Sequence, residues 1–303
     1  MTSTESPSTT LGDGLASAWS GFRPGLWNTA INVRDFIQAN YDPYNGDGRF
    51  LAPATPRTQE LWNTLNALFV EERQNGVLDV SQIPSSITAH PPGYIDRERE
   101  IIVGLQTDAP LKRAIMPNGG LRLVVNALKA YGYEPDPTVV EAFTKYRKTH
   151  NDAVFDAYTE EVRRCRSSHI LTGLPDAYGR GRIIGDYRRV ALYGVNRLLE
   201  GKRAEKRALD PVPSTDEIIR DREELSEQIR ALQELKEMAG KYGFDISGPA
   251  RTAREAVQWL YFGYLAAVKE ENGAAMSLGR VSTFLDIYFE RDLAAGRLTE
   301  EQA

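Results

Sequence analysis

The residues with most chemical potential lie in one run, Gly173-Leu-Pro-Asp-Ala-Tyr-Gly-Arg-Gly-Arg182. Its glycines let the backbone approach a ligand closely, and it stands immediately before a helix expected to open at Ile183. A helix N-terminus offers unpaired N–H groups and positive partial charge. Arg180 and Arg182 add planar guanidinium forks that match a carboxylate or phosphate. Together these features describe a site for a small anion. The surroundings agree: Val162 to Arg207 holds 12 Lys/Arg against 4 Asp/Glu, in a chain whose formal net charge is −5. The same run also reads as a tight turn whose arginines pair with nearby carboxylates.

Other constellations are weaker. Gly179-x-Gly181-x-x-x-Gly185 has the wrong spacing for a dinucleotide fingerprint, and no convincing strand precedes it. Cys165 sits among Arg163, Arg164 and Arg166 with His169 four residues on. Positive neighbours favour a thiolate, whereas burial would leave the thiol inert. A metal needs more ligands than Cys165, His169, His90 and His150 supply, so no metal site is expected. The acidic loop Asp42 to Gly48 fails the calcium-loop pattern, with Pro43 and Ala54 at ligand positions. Glu141 to Asp156 mixes aromatics with cations, which suits either a nucleotide or an ordinary amphipathic helix running into a turn.

Helical elements must position these groups. Arg182 to Glu200 places Ile183, Tyr187, Val190, Ala191 and Leu198 on one helical face. Ser214-x-x-Glu217 reads as a capping box for a helix that carries Ile218, Leu225, Ile229, Leu232, Leu235 and Met238, and Gly240 and Gly243 stop it. Thr252-x-x-Glu255 repeats the device ahead of Val257, Leu260, Tyr261, Tyr264, Leu265 and Val268. Lys202 to Pro213 is either a linker or a surface loop between two helices. Leu121 to Val125 and Ile101 to Val103 could be strands or buried helical turns. Met1 to Gly14 is Ser/Thr/Gly-rich, a flexible terminus; residues 15–303 form one unit.

Composition bounds the class. Of 303 residues 41% are hydrophobic and 26% charged, which is globular. An acidic balance argues against a general nucleic-acid binder. One cysteine excludes an intrachain disulfide. No run reaches the roughly 20 apolar residues of a membrane span, and Met1 to Thr10 is polar, so a cytoplasmic protein with no membrane contact is expected.

Beyond these readings, Gly173 to Arg189 closely resembles the pyruvate formate-lyase (formate C-acetyltransferase) family of glycyl-radical enzymes. So do Asn32-Val-Arg-Asp-Phe-Ile37, Ile102-Val-Gly-Leu-Gln-Thr107, Ala109-Pro-Leu-Lys-Arg-Ala114, Tyr146-Arg-Lys-Thr-His-Asn151, Tyr242 to Ala250, Tyr261 to Lys269 and Asn272-Gly-Ala-Ala-Met-Ser277. The likeness runs in one register from about Ala18 to Ala303. It implies an α/β fold, predominantly helical in this segment, that forms the N-terminal part of a ten-stranded α/β barrel. It also implies conversion of pyruvate and coenzyme A to acetyl-CoA and formate, by way of a glycyl radical and a pair of cysteines. A homodimer and a radical-SAM activating enzyme are implied as partners.

Carried over residue by residue, Arg182 matches the arginine that pairs with the pyruvate carboxylate. Tyr178 and Ala274 match positions lining that pocket, and Phe155 and Arg166 match the CoA-docking surface. Ser167 stands where well-known relatives carry a lysine and Ala153 where they carry a glycine, so different CoA contacts are expected there. The chain departs from the family in length and in lacking the cysteine pair and the radical glycine. It is therefore expected to be an N-terminal portion with no catalytic residue of its own and no activity alone. A 2-ketobutyrate formate-lyase and a non-catalytic helical scaffold are the alternatives.

Overall fold

The computed structural model describes residues 18–48, 52–76, 79–84, 86–115, 121–141, 158–172, 185–271 and 276–303. Among them a single 3-10 turn, Leu26–Asn28, precedes α1 (Val33–Asn40) and α2 (Pro56–Asn75). Two short strands, β1 (Asp79–Pro84) and β2 (Lys112–Ile115), pair in parallel. Then follow α3 (Leu121–Ala130), α4 (Pro137–Glu141), α5 (Glu160–Ser167), α6 (Arg188–Ala208), α7 (Asp216–Lys241), α8 (Ala253–Glu271) and α9 (Ser282–Ala294). The segment is predominantly helical, as expected.

The two capped helices form for the reasons read from sequence, with one shift. Thr252 Oγ1 accepts the Glu255 N–H at 3.1 Å, while Glu255 reaches back to the Arg251 N–H at 2.6 Å. At α7 the cap is Thr215, not Ser214: its Oγ1 accepts the Ile218 N–H at 3.3 Å, and its extended backbone turns the chain into the helix. The basic half of the Lys202–Pro213 stretch is helical, because α6 continues to Ala208; only Leu209–Thr215 connects α6 to α7. Leu121 to Val125 lies in α3. Ile101 to Val103 is neither strand nor helix. Its polar backbone is served instead by the buried Gln258, which accepts from the Val103 N–H (2.9 Å) and donates to the Val103 carbonyl (3.0 Å).

The core lies where α6, α7 and α8 pack. Leu192, Val195, Leu235, Met238, Ala239, Ala256, Leu260 and Phe262 are all buried there. One face of α6 would not suffice for this, yet Val190 through Val195 are buried without a break. The reason is a kink at Gly194, whose φ of 71° and ψ of 160° leave the helical region. A kink strands backbone groups that the helix would have paired. Here the segment Ile246–Ala250 meets them: Val195 N–H donates to the Ile246 carbonyl (3.0 Å), Asn196 N–H to Ser247 (3.1 Å), and Ala250 N–H to the Ala191 carbonyl (2.8 Å). The Trp19 indole takes the Leu192 carbonyl at 2.8 Å. Glycine is needed because a Cβ at 194 would stand 2.3 Å from the Gly248 carbonyl carbon.

A second cluster closes the far side of α6. Trp19, Phe22, Trp27, Phe36, Phe284 and Tyr288 meet mostly edge to face, with neighbouring centroids 4.8–6.4 Å apart. The Tyr193 hydroxyl stitches the two together, accepting from the Asn32 N–H at 2.8 Å and lying 3.0 Å from the Ala30 carbonyl. No helix among the described residues is long and apolar enough to cross a membrane.

Candidate functional site

Arg182, Tyr178, Ala274 and Phe155 lie outside the described residues, as do Arg180 and Ala153. What the structure gives is the frame on either side of them. Gly185 and Met276 line one groove of about 720 Å³, together with Tyr187, Val190, Leu232, Gly263 and Ala267. Gly185 to Arg188 and Leu278 to Val281 also face each other across a smaller cleft of about 170 Å³. Two stretches some ninety residues apart in sequence thus border the same cavity.

The helix after the Gly-rich run opens at Arg188, not Ile183. Gly185 to Tyr187 form a non-helical approach, and no side chain caps the helix. Tyr187, buried at this entry, packs edge to face on Tyr264 with centroids 5.6 Å apart, which fixes where the chain turns in. Two arginines of the basic window share one carboxylate here. Asp186 receives Arg188 Nε at 2.6 Å and lies 3.4 Å from Arg189 Nε. Arg180 and Arg182, the arginines for which the sequence offered either an anion site or carboxylate pairing, lie outside the described residues.

Arg166 projects from α5 with its guanidinium 5.8 Å from the ring centroid of Tyr158. α5 is a mostly exposed helix capped by Thr159, whose Oγ1 lies 3.4 Å from the Val162 N–H. Cys165 and His169 do not share a helical face. α5 ends at Ser167, and His169 sits at φ 60° beyond it. The Ile170 and His169 N–H groups close back on the Cys165 and Arg166 carbonyls, at 2.9 Å and 3.1 Å, in the double hydrogen bond typical of helix ends. Cys165 is half-buried. Among the described residues no three His, Cys, Asp or Glu side chains gather as metal ligands would.

Buried charge is the feature that sequence reading did not pick out. Lys269, 1% exposed near the end of α8, has its ammonium pushed down to about 8 by burial and by the Lys241 ammonium. His90, also buried, is held below the usual imidazole range by burial and by Lys269. Asp108 lies 4.0 Å from His90 Nδ1 and 3.1 Å from Lys112 Nζ, and the latter contact keeps its carboxyl low. Glu100 is raised by burial even though it accepts the Asp96 N–H at 3.0 Å and also the Ile95 N–H. A signal for Lys269 was present: it falls four residues after Leu265 and three after Ala266, on the face that α8 buries.

The family profile described as pyruvate formate lyase-like matches residues 26–303. The chain belongs to that family. It is 56% identical over 299 residues to formate acetyltransferase 1 of Escherichia coli (strain K12), covering 97% of this chain and 39% of that protein. It is also 56% identical over 292 residues to the formate acetyltransferase of Haemophilus influenzae, covering 94% of this chain and 38% of that one. The chain thus spans about two fifths of the length of the curated relatives it matches. Two solved structures share its fold at a TM-score of 0.50. One describes 1,2-propanediol dehydration in Roseburia inulinivorans (21% identity, 85% of this chain, 37% of that one). The other is the B12-independent glycerol dehydratase of Clostridium butyricum (18% identity, 84% and 39%).

Proposed function

We propose that these 303 residues are the N-terminal portion of a formate C-acetyltransferase, which converts pyruvate and coenzyme A to acetyl-CoA and formate. The single observation that carries this is 56% identity sustained over 97% of the chain. In this reading the segment contributes to a ten-stranded α/β barrel. The cysteine pair and the radical glycine belong to the part of the protein outside these residues. A homodimer, cytoplasmic location and activation by a radical-SAM enzyme complete the proposal.

Within the segment, Arg182 holds the pyruvate carboxylate through a charge-assisted hydrogen bond worth about 1.5–3 kcal/mol. Tyr178 and Ala274 line the same pocket. Support comes from the flanks, since Gly185 and Met276, a few residues from Arg182 and Ala274, border one groove. Arg166 and Phe155 dock coenzyme A. The Arg166–Tyr158 pair, a cation over an aromatic face on a mostly exposed helix, has the chemistry a nucleotide needs.

In the full-length protein, activated anaerobically, Arg182→Ala is expected to lower kcat/KM for pyruvate by about 10- to 100-fold. Arg182→Lys should recover part of that loss. Unchanged pyruvate kinetics in Arg182→Ala would overturn the assigned role. The 303-residue chain treated in the same way is expected to yield no formate, and pyruvate-dependent formate from it would overturn the reading that it is inactive alone.

A further inference from the structure

α2 is a 20-residue helix in which not one residue is buried. Helices of this length draw most of their stability from a packed apolar face, so an unburied one is incomplete. The apolar face exists. Leu61, Trp62, Leu65, Leu68 and Phe69 fall at i, i+1, i+4, i+7 and i+8, a stripe about 120° wide. Trp62 is 55% exposed and Phe69 48%.

The helix is nevertheless held in place at its N-terminal end. Arg57 donates to the carbonyls of Arg99 (2.7 Å) and Glu98 (2.8 Å), and Arg99 Nε meets Glu60 at 2.9 Å. Polar pins at one end, and further along a stripe in which Trp62 and Phe69 are exposed and Leu61, Leu65 and Leu68 half-buried, make a fixed, presented surface.

We infer that the stripe Leu61–Trp62–Leu65–Leu68–Phe69 is an intramolecular docking surface, covered in the full-length protein by the polypeptide outside these 303 residues. The inference rests on the proposed function only in taking the full-length protein to have its relatives' length, about two and a half times this chain. Area decides between occupants. Trp62 and Phe69 leave about 200 Å² of side chain in water, and the whole stripe about 300–400 Å². A specific contact between two separate copies needs about 800 Å² from each partner and must offset the entropy of association. A segment of the same chain meets neither demand, so a stripe of this size suits it.

The test is hydroxyl-radical footprinting of the wild-type full-length protein, with oxidation at Trp62 compared by mass spectrometry with that at the buried Trp27. Oxidation of Trp62 within fivefold of Trp27, unchanged on hundredfold dilution, is the expected result. Oxidation more than fivefold above Trp27 would overturn the inference. Protection that disappears on dilution would overturn it too, by assigning the stripe to a second copy. Formate production measured on the same preparation separates the two readings: an active enzyme with Trp62 freely oxidised removes the docking surface and leaves the proposed function standing.

Discussion

Replacing Lys269 by methionine should make this chain more stable, although it removes a side chain that is almost wholly buried. The residue is 1% exposed, and the ordinary value of 10.5 for its ammonium is lowered to about 8 by burial. Below pH 8 both folded and unfolded chains carry the charge, and only the folded one holds it out of water. The difference of about 2.5 units corresponds to a cost of about 3 kcal/mol at pH 7. Between pH 8 and 10.5 the unfolded chain binds the proton more readily than the folded one, so stability rises with pH across that window. Methionine keeps the length and apolar stem of the side chain and removes the charge.

Urea unfolding of the two proteins should therefore show Lys269→Met more stable by up to about 3 kcal/mol at pH 7, with the gap falling to about half by pH 9.5. Buried tyrosines act in the opposite direction above pH 10. Tyr261 is pushed up to about 12 and Tyr288 is raised further still, so both stay neutral in the fold while the unfolded chain ionises. That effect is common to both proteins and cancels in the difference. A Lys269→Met protein that is less stable at pH 7, or a gap that does not narrow with pH, would refute the reasoning and show that the ammonium has a counter-ion.

Gly194→Ala should destabilise by about 3–5 kcal/mol, because it forces a side chain into a positive-φ conformation and drives a Cβ to 2.3 Å from the Gly248 carbonyl carbon. A change below about 1 kcal/mol in a urea titration would mean that the kink is not required. Gln258→Leu leaves both the N–H and the carbonyl of Val103 without their partner and should cost about 2–4 kcal/mol, read as a lower unfolding midpoint. If a leucine there is tolerated without loss, water or a shifted loop serves Val103 instead.

The sequence determined what depends on neighbours along the chain. The Thr252–Glu255 cap, the apolar spacing of α7 and α8, and the clustering of cations from Val162 to Arg207 are local patterns, and a helix needs little more than these to declare itself. The family was legible for a related reason: the quoted motifs run in one register through the chain.

Tertiary structure decided what depends on distant partners. The break in α6 at Gly194 could not be read from spacing, because its stranded N–H and carbonyl groups are satisfied by Ile246–Ala250, fifty residues away. The same holds for Ile101 to Val103, whose apolar run suggested a strand or a helical turn until Gln258 supplied its hydrogen bonds from another helix. The helix expected from Ile183 starts at Arg188, just after Tyr187 packs on Tyr264. Lys269 became a buried charge only when the face of α8 that carries it was packed. Local propensity specifies an element, whereas burial and hydrogen-bond satisfaction are properties of the assembled fold.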